Sequence, residues 1–224
     1  MSRGSGDKAR DTDARRRLRD GAAALGVQLG EDALEALLAY LGELAVWNQR
    51  LNLVGEHDEA SLIDRHLVDA LAAVPVLAPL GHEARLADLG SGAGLPGIPL
   101  ALALRPREML LVEPRQKRAS FLRAAARRLP GFGLRIVEGT AEQLAGQEPG
   151  QLDAVVSRAT LPEEELLDVA ARLLRPGGLV VSYRGTAPPV DVSSDAFNDA
   201  DVRRYELPGA RRRFTLLVRE RRFT

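Results

Sequence analysis

Asp88-Leu89-Gly90-Ser91-Gly92-Ala93-Gly94-Leu95-Pro96-Gly97 decides the fold of this chain. It follows the short apolar run Leu86-Ala87 and carries glycine at 90, 92, 94 and 97, with an acid two residues before the first. A strand ending in such a loop lets its backbone approach a ligand closely, because glycine has no Cβ to clash and tolerates positive φ. Where a helix starts directly after the loop, free backbone N–H groups point at whatever lies there. The stretch therefore predicts a nucleotide-type pocket at the end of a strand.

Outward from the loop, the chain after Gly81 alternates strands and helices. Strand candidates are Arg85–Leu89, Met109–Glu113, Leu134–Glu138, Leu152–Ser157, Leu179–Tyr183 and Phe214–Arg219, with helical segments at Ile98–Leu104, Lys117–Leu129, Ala141–Leu144 and Glu163–Leu174. This alternation predicts an α/β fold, a mostly parallel sheet with helices on both faces. Arg175-Pro176-Gly177-Gly178 should break a helix and lead into a buried strand. Before Gly81, Leu34, Leu37, Leu38, Leu41 and Leu44 recur at helical spacing, and a second helix through Ser61–Leu71 has Asp58 or Ser61 to cap it. The predicted organisation is a mobile tail over residues 1–16, a small helical cap over 17–80 and the α/β domain over 81–224. The tail is expected because its residues are Gly, Ser, Asp and Arg with almost no apolar side chains.

Composition narrows the function. The 224 residues are 45% hydrophobic and 28% charged, an ordinary globular balance long enough for one substantial core with an appendage. No apolar run is long enough to span a membrane, no secretory segment is expected, and a cytoplasmic location follows as the expectation. There is no cysteine, so no thiolate nucleophile or thiolate metal site exists, and His57, His66 and His82 lack metal-ligand spacing. The 31 basic and 31 acidic residues cancel, but they are not mixed evenly. Arg115, Lys117, Arg118, Arg123, Arg127 and Arg128 follow one another without an acid, and eight arginines against two glutamates lie between Arg203 and Arg222. Such clusters are either solvated surface or a phosphate-binding patch.

Two readings compete for the glycine loop. Gly92-x-Gly94-x-x-Gly97, with Glu113 downstream, satisfies the dinucleotide fingerprint of a dehydrogenase. Read from Asp88 through Gly90, Gly92 and Gly94, the loop instead resembles motif I of the class I (Rossmann-like) S-adenosylmethionine-dependent methyltransferases. A carboxylate at Asp88 suits a ligand carrying ammonium and sulfonium charge and would repel a pyrophosphate. Pro96 also sits awkwardly in a dinucleotide loop.

Further segments, in order, sharpen the resemblance. They are Trp47-Asn48-x-x-Leu51-Asn52-Leu53, Arg65-His66-Leu67-Val68-Asp69, the loop extended to Leu95-Pro96-Gly97-Ile98-Pro99, Lys117-Arg118-x-x-Phe121-Leu122, Ser157-Arg158-Ala159, and Leu174-x-Pro-Gly-Gly. Together they resemble the bacterial GidB/RsmG family, from about Leu34 to Gly185. The resemblance implies a 16S rRNA guanine-N7 methyltransferase using S-adenosyl-L-methionine, with the small ribosomal subunit as partner. It implies cofactor contacts at Gly90, Leu95, Ala141, Glu142 and Arg158. The general methyltransferase pattern adds Asp88, Gly92, Gly94 and Glu113, the last for ribose hydroxyls. No metal is implied, and a monomer is expected.

Guanine N7 is nucleophilic without losing a proton, so orientation rather than a general base is required, and Arg158 is the residue expected to supply it. RNA contacts are expected from Lys117, Arg118, Arg123, Arg127 and His66. For Arg118 the alternatives are projection past the sheet or entry into the cleft. His66 and Asp69, three apart on a helix, either pair locally or touch RNA. Trp47 reads as a packing plug, the alternative being a platform for an extruded base, and Asn48 as a turn residue rather than a reader of a base. Another methyltransferase of small molecules or proteins, or an inactive RNA-binding assembly factor, stand as the alternatives.

Overall fold

Strands buried on both faces and separated by helices need a sheet between two helical layers, and the chain builds one. The computed structural model describes residues 4–129, 131–158, 161–186, 192–210 and 212–223. Helices α1 (Gly4–Ala24), α2 (Glu31–Leu51), α3 (Glu59–Leu62), α4 (Val68–Leu71) and α5 (Val74–Leu77) come first, with a π-helical turn at Ile63–Leu67 and a 3-10 turn at Ala78–Leu80. Then follow β1 (Arg85–Leu89), α6 (Gly97–Leu104), β2 (Glu108–Val112), α7 (Gln116–Arg127), β3 (Leu134–Val137), α8 (Ala141–Gln147), β4 (Leu152–Arg158), α9 (Glu163–Leu173), β5 (Leu174–Gly185), β6 (Asp201–Glu206) and β7 (Arg213–Glu220). The sheet order is β3-β2-β1-β4-β5-β7-β6. β1 to β5 pair in parallel; β7 runs antiparallel to β5, and β6 antiparallel to β7.

Period-two alternation sorts the strand side chains between two cores. Leu86, Met109, Leu111, Ala154, Val156, Val181 and Leu216 face one core, shared with α2, α6 and α7. Ala87, Leu89, Leu110, Val112, Leu152, Val155 and Val180 face the other, shared with α8 and α9. The first core continues without a break into the N-terminal helices through Leu34, Leu37, Tyr40, Leu44 and Leu67. The helical cap thus packs into the same interior as the sheet.

Two elements depart from the sequence reading. The stretch expected as a tail to Arg16 is helical from Gly4 onward, with Ala14 and Leu18 buried; Met1–Arg3 lie outside the described residues. Apart from Leu18 its buried side is made of the small residues Ala14, Gly21 and Ala22, which hid the apolar signal. A Cβ on Gly21 would come within 2.6 Å of Val68 Cγ2, so α1 seats closely against α4. Arg15 pairs with Glu31 and Glu35, and Arg17 with Asp64 at 3.1 Å. The second departure is β6, an edge strand of sequence DVRRYE with mostly exposed side chains. A charged edge strand shows no apolar alternation, and its charges discourage pairing with another chain.

The helix expected through Ser61–Leu71 forms as α3, the π-helical turn and α4. Asp58 caps it by accepting from Ser61 N at 2.8 Å. The cap is fastened to the glycine loop by Tyr40 of α2, fully buried, whose hydroxyl donates to the Ala93 carbonyl at 2.5 Å. Tyr40→Phe keeps the packing but leaves that carbonyl unpaired, and should cost about 1–3 kcal/mol. Urea unfolding of the two proteins measures it; identical midpoints would show that the fastening adds nothing.

Candidate functional site

The end of β1 lies beside the end of β2, with Leu89 opposite Val112. There the chain leaves the sheet, and the N–H groups of Gly90 and Ser91 both donate to the Val112 carbonyl at 2.9 Å. Two carboxylates then hold the loop. Asp88 Oδ2 accepts from Ser91 Oγ at 2.7 Å and from Gly97 N, the first residue of α6, at 2.9 Å. Glu113 Oε2 accepts from Gly92 N, and its Oε1 from Arg115 N, both at 2.9 Å. The glycines divide their duties. Gly92 has φ of +58° under the guanidinium of Arg118, and lines the cleft. At Gly94 and Gly97 a Cβ would fall 2.4 Å from Ile98 Cδ1 and Leu111 Cδ2 respectively, so these two let α6 pack onto the sheet.

The loop borders a cleft of about 410 Å³. Gly90, Ser91, Gly92, Ala93 and Leu95 form one wall; Glu113, Pro114, Arg115 and Arg118 form another; Arg158 closes the β4 side and Leu53 and Val54 reach in from the cap. Of the expected cofactor residues, the structure brings together Gly90, Gly92, Leu95, Glu113 and Arg158. Asp88 is not among the lining residues. It is fully buried beneath the loop, its hydrogen bonds turned to Ser91 and Gly97, because the loop needs an acceptor there more than the cleft does. Gly94 is withdrawn for packing. Ala141 and Glu142 open α8 behind β3, outside the lining, although Gly139 N donates to the Glu113 carbonyl at 3.3 Å and ties that turn to the site.

Burial raises the Asp88 carboxyl to about 6, against the opposing pull of its Ser91 and Gly97 hydrogen bonds. Its Oδ1 has no hydrogen-bond partner among the described residues. Arg158 Nη1 donates to Asp69 Oδ2 at 3.2 Å, while Tyr205 of β6 donates its hydroxyl to Asp69 Oδ1 at 2.5 Å. Asp69 therefore fixes the arginine from inside the cap. Ala159 and Thr160, the next residues of that segment, lie outside the described ones.

The basic residues also separate. Arg118 enters the cleft, whereas Lys117, Arg123 and Arg127 stand on the exposed side of α7, Arg123 in an ion pair with Glu138. His66, expected at the RNA, is turned inward. Its Nε2 sits 2.6 Å from Glu56 Oε2, and burial pushes its pKa down while Glu56 pulls it back up. Trp47 packs on Phe121 of α7 with ring centroids 5.8 Å apart. The buried Asn48 side chain donates to the Glu56 carbonyl and accepts from Val54 N, which sets Val54 at the cleft. Leu53, Val54, Ser91, Ala93, Pro114 and Arg115 were not expected in the lining; the Leu51-Asn52-Leu53 segment was the available signal for the first.

The cleft offers one buried carboxylate acceptor, backbone N–H groups and three guanidinium groups. Among the described residues no group of three or more His, Asp or Glu could hold a metal ion, and no helix is long and apolar enough to cross a membrane. The arrangement suits binding and orientation of a ligand with hydroxyls beside an anionic one.

Residues 33–199 match the family model of GidB, rRNA small subunit methyltransferase G. The ribosomal RNA small subunit methyltransferase G of Xanthomonas axonopodis pv. citri is 36% identical over 197 residues, covering 85% of this chain and 90% of that one. Its counterpart in Stenotrophomonas maltophilia is 39% identical over 178 residues, 79% of each chain. Among solved structures, a putative methyltransferase from Escherichia coli matches with a TM-score of 0.58 at 16% identity, over 70% of this chain and 86% of that one. That likeness speaks for the fold alone.

The position of Asp88 has a consequence for pH. Between about 4 and 6 the folded chain holds the proton of this carboxyl more tightly than the unfolded chain does. Its contribution to stability therefore falls as pH rises through that window. Asp88→Asn lacks this dependence, so relative to the parent it should gain on the order of 2–3 kcal/mol between pH 4 and pH 7. Denaturant unfolding across that range checks it; parallel curves would refute the shift.

Proposed function

The chain belongs to the GidB family, rRNA small subunit methyltransferase G, and from that premise we propose that it uses S-adenosylmethionine to methylate N7 of a guanine in 16S rRNA, acting in the cytoplasm as a monomer. The observation that carries the cofactor reading is the bond from Gly97 N to Asp88. A dinucleotide needs the first N–H groups of the helix for its pyrophosphate. Here a carboxylate already holds that donor, and its negative charge lies beneath the loop. The residues fit the smaller cofactor: Glu113 can accept from ribose hydroxyls beside Gly92, and Leu53, Val54 and Leu95 supply apolar wall. The volume lies within the range usual for small-ligand pockets. The bond from Gly139 N to the Glu113 carbonyl brings the turn that leads into Ala141 and Glu142 up to this side of the site, which supports their contact with a bound cofactor.

When bound, S-adenosylmethionine supplies a methyl group activated by its sulfonium. Guanine N7 presents an in-plane lone pair and gives up no proton, so the work left to the chain is orientation and exclusion of water. Arg158 is placed for it. Its guanidinium lies at the cleft and is fixed by Asp69, and an arginine fork suits guanine O6 or a phosphate. The exposed face of α7, with Lys117, Arg123 and Arg127, and Arg118 at the cleft mouth offer positive charge to the RNA backbone. The surface pair of Arg123 with Glu138 is weak enough to be exchanged for a phosphate.

Calorimetry with S-adenosylmethionine and with NAD, followed by mass spectrometry of small-subunit rRNA incubated with enzyme and cofactor, tests this reading. Binding of the first ligand only and appearance of 7-methylguanosine are expected; NAD binding, or an unmodified RNA, would overturn it. Glu113→Gln can accept through only one of its two terminal atoms, leaving Gly92 or Arg115 without a partner. It should weaken cofactor binding about tenfold. Arg158→Lys keeps the charge and loses the fork, and its turnover should fall at least tenfold; a lysine variant with unchanged turnover and affinity removes Arg158 from the mechanism. With the four α7 cations engaged, log affinity for RNA should fall against log salt with a slope of roughly −3, measured by filter binding. A flat response rules out the phosphate patch.

A further inference from the structure

The cleft is not the largest hollow in the protein. A second, of about 700 Å³, lies where the turn between β6 and β7 meets the cap, lined by Leu207, Pro208, Gly209, Arg212 and Phe214 from one side and Ser61, Asp64 and Arg65 from the other. Thr186, directly after β5, completes it. Topology puts it on the same edge of the sheet as the cleft. The cleft stands at the carboxyl ends of β1, β2 and β4; β5 runs parallel to them, and β7 begins where β5 ends, Thr215 opposite Gly185.

We infer that this hollow holds an unstacked nucleotide of the substrate RNA while the target guanine occupies the cleft, an inference that rests on the RNA-methylating reading above. Each chemical part of a nucleotide has a counterpart. The ring of Phe214 is half-buried and backed by Tyr205 at 5.7 Å between centroids, giving a firm platform on which any base can stack. Arg65, 67% exposed and held only by a surface pair with Glu56 that a phosphate can displace, and the exposed Arg212 offer positive charge to a phosphate. Ser61 and Thr186 supply hydroxyls for sugar or base edges. The one acid in the wall, Asp64, is offset by Arg17 at 3.1 Å, so the hollow keeps a positive rim. A chain of contacts links the two sites: Phe214 packs on Tyr205, Tyr205 bonds Asp69, and Asp69 bonds Arg158 in the cleft. A strand of RNA lying along the carboxyl edge would cover both. The residues of the turn and of β7 lie beyond the end of the family match at residue 199.

The test uses the full chain, S-adenosylmethionine and small-subunit RNA carrying 4-thiouridine. Arg65→Glu combined with Arg212→Glu should raise the KM for RNA roughly tenfold, with kcat and cofactor affinity within twofold of the parent. Phe214→Leu, which keeps apolar volume without the stacking face, should raise KM several-fold. Photocrosslinking should attach RNA to a peptide containing Phe214. Unchanged KM in both variants, or crosslinks confined to the cleft and α7, overturns the inference while leaving the methyltransferase reading intact. Absence of 7-methylguanosine with the parent protein defeats that reading itself. Millimolar AMP added to the assay separates sources: competition by AMP without crosslinking to the Phe214 peptide would assign the hollow to a free nucleotide and overturn its role in RNA docking.

Discussion

A single buried carboxylate sets the geometry on which the site depends. Asp88 lies near the end of β1 with no exposure, and one of its oxygens gathers the Ser91 hydroxyl and the first N–H of α6. Burying such a group is costly unless donors surround it, and here donation comes from the loop it has to shape. The same contacts decide where α6 begins, how Gly94 and Gly97 meet Ile98 and Leu111, and which backbone groups remain for a ligand. Through the Tyr40–Ala93 bond the loop also becomes the seat of the helical cap. Cap, loop and sheet are one mechanical unit centred on that carboxylate.

This division of labour explains what sequence could and could not disclose. The strands from Arg85 onward were legible because sheets buried on both faces write short apolar runs, and the loop because glycines at fixed spacing have few other uses. The acid of the motif was legible as a residue but not as a direction. From sequence, Asp88 faces a cationic ligand; in the fold it faces Gly97. Glu113, also buried, carries the carboxylate that lines the cleft, and nothing in its own neighbourhood of sequence distinguishes the two roles. His66 and Asp69 were bracketed as a pair, yet they part in the structure, one to Glu56 and the other to Arg158 and Tyr205. Those partners are 10, 89 and 136 residues away, beyond the reach of any local pattern.

The first helix and β6 were hidden for related reasons. Periodicity reports large apolar side chains, and α1 seats with one leucine, Leu18, among the small residues Ala14, Gly21 and Ala22. An edge strand with charges on its open side carries hardly any periodic signal. β6 nonetheless matters to the site, since Tyr205 completes the coordination of Asp69. A segment that looked like a surface run of arginines is thus part of how Arg158 is held.

The charge distribution now has a physical account. The chain is neutral, yet the carboxyl edge of its sheet is not. The acids there are turned inward: Asp69, Asp88 and Glu113 are each buried and engaged in hydrogen bonds, and Glu56 and Asp64 are paired with His66, Arg65 and Arg17. Further carboxylates are consumed at the opposite edge, where Glu108 and Glu148 hold Arg85 and Arg135. The rim of the carboxyl edge is left cationic: Arg115, Arg118 and Arg212 stand there, with Arg65 and Arg158 beside them in their pairs with Glu56 and Asp69, all exposed or half-exposed. Counting charges over the whole chain conceals this, because a buried carboxylate closely paired or hydrogen-bonded contributes little to the field that an approaching polyanion meets, while a guanidinium at the rim contributes fully. The same acids that shape the loop and fix Arg158 therefore leave a positive edge, so building the site and attracting its RNA are consequences of one placement of carboxylates.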